Sequence, residues 1–233
     1  MTNVASDVPA RLAFRIHNSA FSIDSLVAQF FSIHPEDPQP RLLRRAADIV
    51  RAGGVIVYPT DSCYAFGCRL GDKDAMERIR SIRQLDERHH FALVCRDLAE
   101  LALYAMVDNQ QFRILKAATP GSYTLILKAT REVPKRLRHP SRKTIGLRLP
   151  DHKVARALLA ELGEPLLSST LLLPGDELPL NDGQEIRERL EHRVDLILEC
   201  GSCGIVPTTV VDLTGPVPVV TRRGRGGLQP FGL

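Results

Sequence analysis

Residues 42–61 read LLRRAADIVRAGGVIVYPTD, and this stretch decides the kind of fold. Leu42, Leu43, Ala46, Ile49 and Val50 recur at helical spacing, so one apolar stripe faces a core. Gly53-Gly54 stops the helix as a C-cap does, and Val55 to Tyr58 then forms a short, continuously apolar strand. Pro59-Thr60-Asp61 turns the chain. A helix leading straight into a buried strand points to a mixed α/β domain.

The alternation continues downstream. Asp72 is placed to cap a helix carrying Met76, Ile79 and Ile82 on one face, and 91–95 reads as a strand. Asp97 and Glu100 have capping-box spacing ahead of a helical run, and a helix around 108–118 ends at Pro120-Gly121. Strands over 123–127 and 144–149 precede a helix capped by Asp151, which carries Val154, Ala157, Leu158 and Leu162 and stops at Gly163. The last third is strand-rich, over 166–173, 196–200, 208–213 and 217–222, with one helix near 184–192. The expectation is α/β (α+β): a single domain over a largely mixed sheet across 29–233, preceded by a mobile extension over 1–28.

In 233 residues, 44% are apolar and 25% charged, a balance that excludes disordered, collagen-like and disulfide-scaffold proteins. No run approaches the ~18 apolar residues of a membrane span, so no membrane partner is expected. The net charge of +4 is mild, but its distribution is uneven. Arg131, Lys135, Arg136, Arg138, Arg142, Lys143 and Arg148 face only Glu132 in that segment, and Arg222, Arg223 and Arg225 crowd the tail. Such clusters attract phosphates, or else they form a solvated basic loop. Five cysteines, an odd number behind no secretory signal, suit a reducing cytoplasm. Cys200-Gly-Ser-Cys203 has no second C-x-x-C and ends a strand, so buried free thiols are expected and no metal site.

No P-loop, dinucleotide-binding glycine motif or nucleophile elbow is present. Any bound phosphate must therefore be held by loops and arginines. The candidates are polar residues at the ends of apolar strands: Thr60, Asp61, Ser62 and Tyr64; Arg148; Ser168, Ser169 and Thr170; Thr208 and Thr209; and Arg222. The competing reading has the hydroxyls bonding nearby backbone and the arginines in internal salt bridges. Hydroxyls and cations without a nucleophile–base pair suit binding of an anionic ligand better than covalent catalysis.

Gly53 to Gly67, GGVIVYPTDSCYAFG, resembles the opening motif of the YrdC-like family, the L-threonylcarbamoyladenylate synthases. Pro120-Gly-Ser-Tyr-Thr124, Gly146-Leu-Arg-Leu-Pro-Asp-His152, Thr208-Thr-Val-Val-Asp212 and Thr221-Arg-Arg-Gly224 match its further motifs in order. Phe31-Ser-Ile-His-Pro35, Ala75-Met-Glu-Arg-Ile79, Ile82-Arg-Gln-Leu85 and Cys95-Arg-Asp-Leu98 resemble the YciO-type branch. The resemblance implies a twisted open sheet with a deep, positively lined concave surface. It also implies condensation of L-threonine, bicarbonate and ATP, with Mg²⁺ accompanying the ATP substrate, to threonylcarbamoyl-AMP and pyrophosphate for tRNA modification.

The family's K-x-R and S-x-N motifs fall on Arg83-Gln84-Leu85 and Thr170-Leu171-Leu172. The resemblance thus implies catalytic roles for Arg83 and Thr170, with one cation and the asparagine replaced by leucines and activity weakened. Thr60, Tyr64, Thr124, Arg148, Thr208 and Arg222 match positions lining the family's threonine and nucleotide pocket. Ser168 joins them as a strand-end hydroxyl, and His89, Arg88 or Arg148 are candidates to replace the lost cation. The family's affinity for double-stranded RNA or tRNA makes Lys135, Arg136, Arg138, Arg142 and Lys143 the candidates for an RNA-binding face, the alternative to a synthase-like site.

Overall fold

The computed structural model of the chain describes residues 27–86 and 89–232. Residues 1–26 of the expected extension, and Arg88, lie outside them. In chain order the elements are β1 (Gln29–Ser32), α1 (Pro40–Arg51), β2 (Ile56–Tyr58), β3 (Ala65–Arg69), α2 (Lys73–Arg83) and β4 (Ala92–Val94). Next come α3 (Leu98–Tyr104), β5 (Ala105–Met106), α4 (Asn109–Ala118), β6 (Tyr123–Ala129), β7 (Thr144–Arg148) and α5 (Lys153–Leu162). The chain closes with β8 (Leu166–Thr170), α6 (Gly183–Leu190), β9 (Leu196–Glu199), β10 (Thr209–Asp212) and β11 (Val219–Arg222).

Most helix starts follow side-chain caps visible in the sequence. Asp72 accepts a hydrogen bond from the Ala75 amide at 2.9 Å, and Asp97 one from the Glu100 amide at 2.8 Å. Glu100 reaches back to the amide of Arg96 rather than that of Asp97, so the expected box closes one residue early. Asp151 does not cap α5. The cap position is His152, which makes no capping side-chain bond, and Asp151 instead lies 3.9 Å from Arg156. β1, β3 and β5 were not expected: β3, Ala-Phe-Gly-Cys-Arg, is short and carries a glycine at its centre, and it is a strand because β2 and β8 pair with both its edges.

All strands join one open mixed sheet in the order β1-β9-β2-β3-β8-β4-β7-β6-β10-β11, with β5 paired to β6. β9 runs parallel to β1 and β2, β4 to β7, and β10 to β6; the other pairings are antiparallel. Successive strand residues face opposite sides. Val55, Val57, Phe66 and Leu93 therefore pack with Met76 and Ile79 of α2, Leu115 of α4 and Ile186 of α6. Ile56, Tyr58, Ala65 and Val94 pack on the opposite side with Leu43 and Val50 of α1 and with Val154 and Leu158 of α5. Both faces are covered here, which explains the continuously apolar β2; each such Val, Leu or Ile contributes ~1.5–3 kcal/mol.

Candidate functional site

Past β4 the two faces part company. Leu125 and Leu127 of β6 and Ile145 and Leu147 of β7 still enter the first core. Their neighbours Thr124, Ile126, Gly146 and Arg148 face the other side, where no residue of α1 or α5 follows them. The uncovered sheet becomes the floor of a hollow of about 1050 Å³, counting its open mouth. Gly146 keeps that floor low, because a Cβ there would lie 3.1 Å from the Thr124 methyl carbon and 3.8 Å from Ala92 Cβ.

Four arginines, Arg83, Arg142, Arg148 and Arg222, line the hollow, and among the described residues no carboxylate does. Two are neutralised from behind: Arg148 by Asp61 at 3.0 Å and Arg142 by Asp212 at 2.8 Å. The other two meet only neutral partners among the described residues. Arg83 Nε donates to the Leu172 carbonyl at 3.0 Å, and its Nη1 donates to Ser169 Oγ and lies 3.4 Å from His89 Nε2. Arg222 Nη2 donates to the Thr208 carbonyl at 2.9 Å and to Thr208 Oγ1 at 3.2 Å. Burial lowers the pKa of both guanidiniums, yet an arginine stays charged. The hollow thus holds cationic surplus in a partly desolvated setting, where an anion is worth more than in water.

Hydroxyls complete the lining. Thr124 and Thr208 are joined through their hydroxyls at 2.8 Å, and Ser168, Ser169 and Thr170 bring the end of β8 to the same wall. Ser168 Oγ is occupied by the Phe66 carbonyl and Tyr58 hydroxyl, both at 2.9 Å. The structure therefore brings Arg83, His89, Thr124, Arg148, Ser168, Thr170, Thr208, Arg222 and Arg142 together.

Thr60 and Tyr64 are not in that lining. Thr60 Oγ1 donates to the Cys63 carbonyl at 2.6 Å and shapes its own turn, while Tyr64 donates to the Gly201 carbonyl at 2.7 Å and is fully buried. Each lies apart from that lining for its own reason. Tyr64 faces the core side of the sheet, and Thr60 sits behind the Arg148 ion pair.

Two members of the wall escaped sequence reading. His90 stacks on His139, with ring centroids 4.9 Å apart, at the end of the hollow shared with Arg142. Its neighbour His89 turns to Arg83 and Ser169. Burial, with Arg83 and Arg80 adding repulsion, lowers the His89 pKa to about 4.

Of the expected RNA-binding residues, Lys135, Arg136 and Lys143 are exposed and Arg138 half-buried. Arg136 donates to the Gly71 carbonyl and Arg138 to the Val133 carbonyl at 2.7 Å, so their charges are held in place without being neutralised. Arg142 is the exception, paired with Asp212. Among the described residues no helix is long and apolar enough to cross a membrane.

Comparison with known proteins places this architecture. A family model described as telomere recombination, that of Sua5, YciO and YrdC, matches residues 48–224. The uncharacterised YciO protein of Escherichia coli is 58% identical over 205 residues, which cover 88% of this chain and all of that protein. Its crystal structure superposes with a TM-score of 0.84. A threonylcarbamoyl-AMP synthase of Halorhodospira halophila is 30% identical over 194 residues, 83% of this chain and 95% of the synthase. The structure of P. abyssi Sua5 complexed with L-threonine shares the fold, with a TM-score of 0.77 at 24% identity over 84% of this chain and 57% of that one. On the family match and the extent of these identities, the chain belongs to the Sua5/YciO/YrdC family.

Proposed function

We propose that the arginine-lined hollow binds ATP and L-threonine and supports threonylcarbamoyl-AMP synthase-type nucleotidyl transfer at reduced efficiency, in the service of tRNA modification. The observation that carries this reading is the cationic lining without a carboxylate. An adenylate-forming step needs it: a carbamate oxygen, made from threonine and bicarbonate, attacks the α-phosphorus. The bond from that phosphorus to its bridging oxygen breaks, and pyrophosphate leaves with the electron pair. Arg83 and Arg222, free of acidic partners among the described residues, are placed to meet the phosphate charge. With no carboxylate in the described lining, Mg²⁺ would arrive held by the triphosphate.

The reduced efficiency follows from Leu172. It lines the hollow where the family motif has an asparagine, so it supplies no side-chain donor there. Losing a transition-state donor costs ~10²–10³ in rate. The test is thermal shift with ATP, AMP and threonine plus bicarbonate, followed by pyrophosphate release. Saturable ATP stabilisation that Arg222→Ala abolishes is expected. An ATP response unchanged in that variant would sink the reading.

A second reading rests on Lys135, Arg136 and Lys143, exposed without acidic partners among the described residues. Such a face suits the backbone of an RNA duplex, read by shape rather than sequence. Affinity for a short duplex that falls steeply with salt, and is lost on neutralising these residues while ATP binding persists, would favour it.

A further inference from the structure

We infer that His152, Cys200 and Cys203 form a binding site for a thiophilic divalent cation, zinc above all, with a fourth coordination position left open. His152 opens α5 and the two cysteines follow β9, so the fold joins residues 48 positions apart in the chain. Cys200 Sγ lies 3.9 Å from Cys203 Sγ and 3.9 Å from His152 Nε2. All three ligand atoms fall within 4.8 Å of one another.

These spacings suit a single ion. Tetrahedral zinc, with Zn–S about 2.3 Å and Zn–N about 2.0–2.1 Å, sets its sulfurs ~3.8 Å apart and sulfur and nitrogen ~3.6 Å apart. The two Cys200 pairs are within a few tenths of an ångström of these values, and the Cys203–His152 pair, within 4.8 Å, has up to about 1 Å left to close by side-chain rotation. Two thiolates offset the charge of a divalent cation, and sulfur with imidazole selects against magnesium and calcium, which take oxygen.

The loop that carries the cysteines is already shaped. The Cys200 amide donates to the Tyr64 hydroxyl at 3.1 Å, and the Cys203 and Gly204 amides donate to Asn181 Oδ1 at 2.8 and 3.0 Å. Gly201 and Gly204 take φ of 87° and 110°, which lets the chain fold back so tightly. His152 Nδ1 is buried without a hydrogen-bond partner, and among the described residues Cys200 Sγ is the ring's only such neighbour. The imidazole is thus committed to the sulfur side. The cluster is separate from the arginine-lined hollow, none of whose lining it shares.

The test uses the full chain, kept reduced with a non-thiol reductant and titrated with Zn²⁺ against a chromogenic chelator, then with Co²⁺. One equivalent of zinc should bind, and cobalt should give thiolate-to-cobalt charge-transfer absorption with strong tetrahedral d–d bands. Outer-shell changes alone cost ~10–100-fold in metal affinity, so His152→Ala and Cys203→Ser should each weaken zinc by ~100-fold or more. ATP stabilisation should stay unaltered in both variants, which separates this site from the proposed function. A reduced wild-type chain that gives no charge-transfer band would overturn the inference, whether or not the variants fold. So would a folded His152→Ala chain that holds zinc as tightly as wild type, or a reduced chain that takes up no metal but forms a 200–203 disulfide in air.

Discussion

Arg148 Nη2 lies 3.0 Å from Asp61 Oδ1, and each side chain is only 7% exposed. The same nitrogen meets Thr60 Oγ1 at 3.4 Å and Ser62 Oγ at 3.2 Å, so one edge of the guanidinium is anchored to the turn after β2. Its Nε is buried without a partner among the described residues. The arginine is therefore both a structural ion pair and part of the floor of the hollow. Removing one member of a buried pair strands the other charge, at ~3–5 kcal/mol. Asp61→Ala should lower the urea-unfolding free energy by about that much, and Asp61→Leu with Arg148→Met should recover most of it. A loss below ~1 kcal/mol for Asp61→Ala would mean that the pair behaves as a solvated one.

The Arg83 contact with the Leu172 carbonyl joins the two segments whose family motifs are altered here. Leu172 is half-buried and lines the hollow, so a polar side chain there would open onto it. Leu85→Arg with Leu172→Asn should raise pyrophosphate release in the presence of threonine and bicarbonate by ~10-fold or more, given what one donor is worth. A folded double variant with no gain would place the deficit in other residues.

His89 is the titration to follow. Burial first, and Arg83 next, lower its pKa from 6.5 to about 4. Between those values the unfolded chain takes up a proton that the folded chain refuses, so this residue's contribution to stability is full above about pH 6.5 and fades as pH falls toward 4. Ring C–H signals in NMR should keep His89 neutral to about pH 4, with the midpoint moving upward in Arg83→Met. A midpoint near 6.5 in the wild type would contradict the buried placement.

Gly146 tests the floor. A side chain there would stand against Thr124 and Ala92 and fill space that a ligand needs. Gly146→Val should cost ~1–3 kcal/mol in stability through overpacking. It should also abolish ATP stabilisation in thermal shift, the readout that a merely tight core position would leave intact.

Helices and central strands were legible because their signals are local. Apolar residues at helical spacing, Asp72 and Asp97 at the caps, and Gly163 at φ 74° each act within a turn or two. β3 was not legible, since Ala65 to Arg69 has no strand pattern of its own and depends on pairing with β2 and β8. The same limit explains the site. Arg148, Thr208 and Arg222 stood out as polar residues at the ends of apolar strands, but nothing local distinguished them from Thr60 and Tyr64, whose side chains bond within their own turn and to the Gly201 carbonyl and are absent from the lining.

By itself the sequence determined the mixed α/β class, the order of most elements, the membership in a family and the excess of cations near two strand ends. Only the tertiary structure decided which arginines are neutralised, by Asp61 and Asp212, and which remain available, Arg83 and Arg222. It alone placed His152 beside Cys200 and Cys203. The physical reason is range: caps and periodicity act over a few neighbours in the chain, whereas charge pairing and ligand geometry depend on distances in space between segments tens of residues apart.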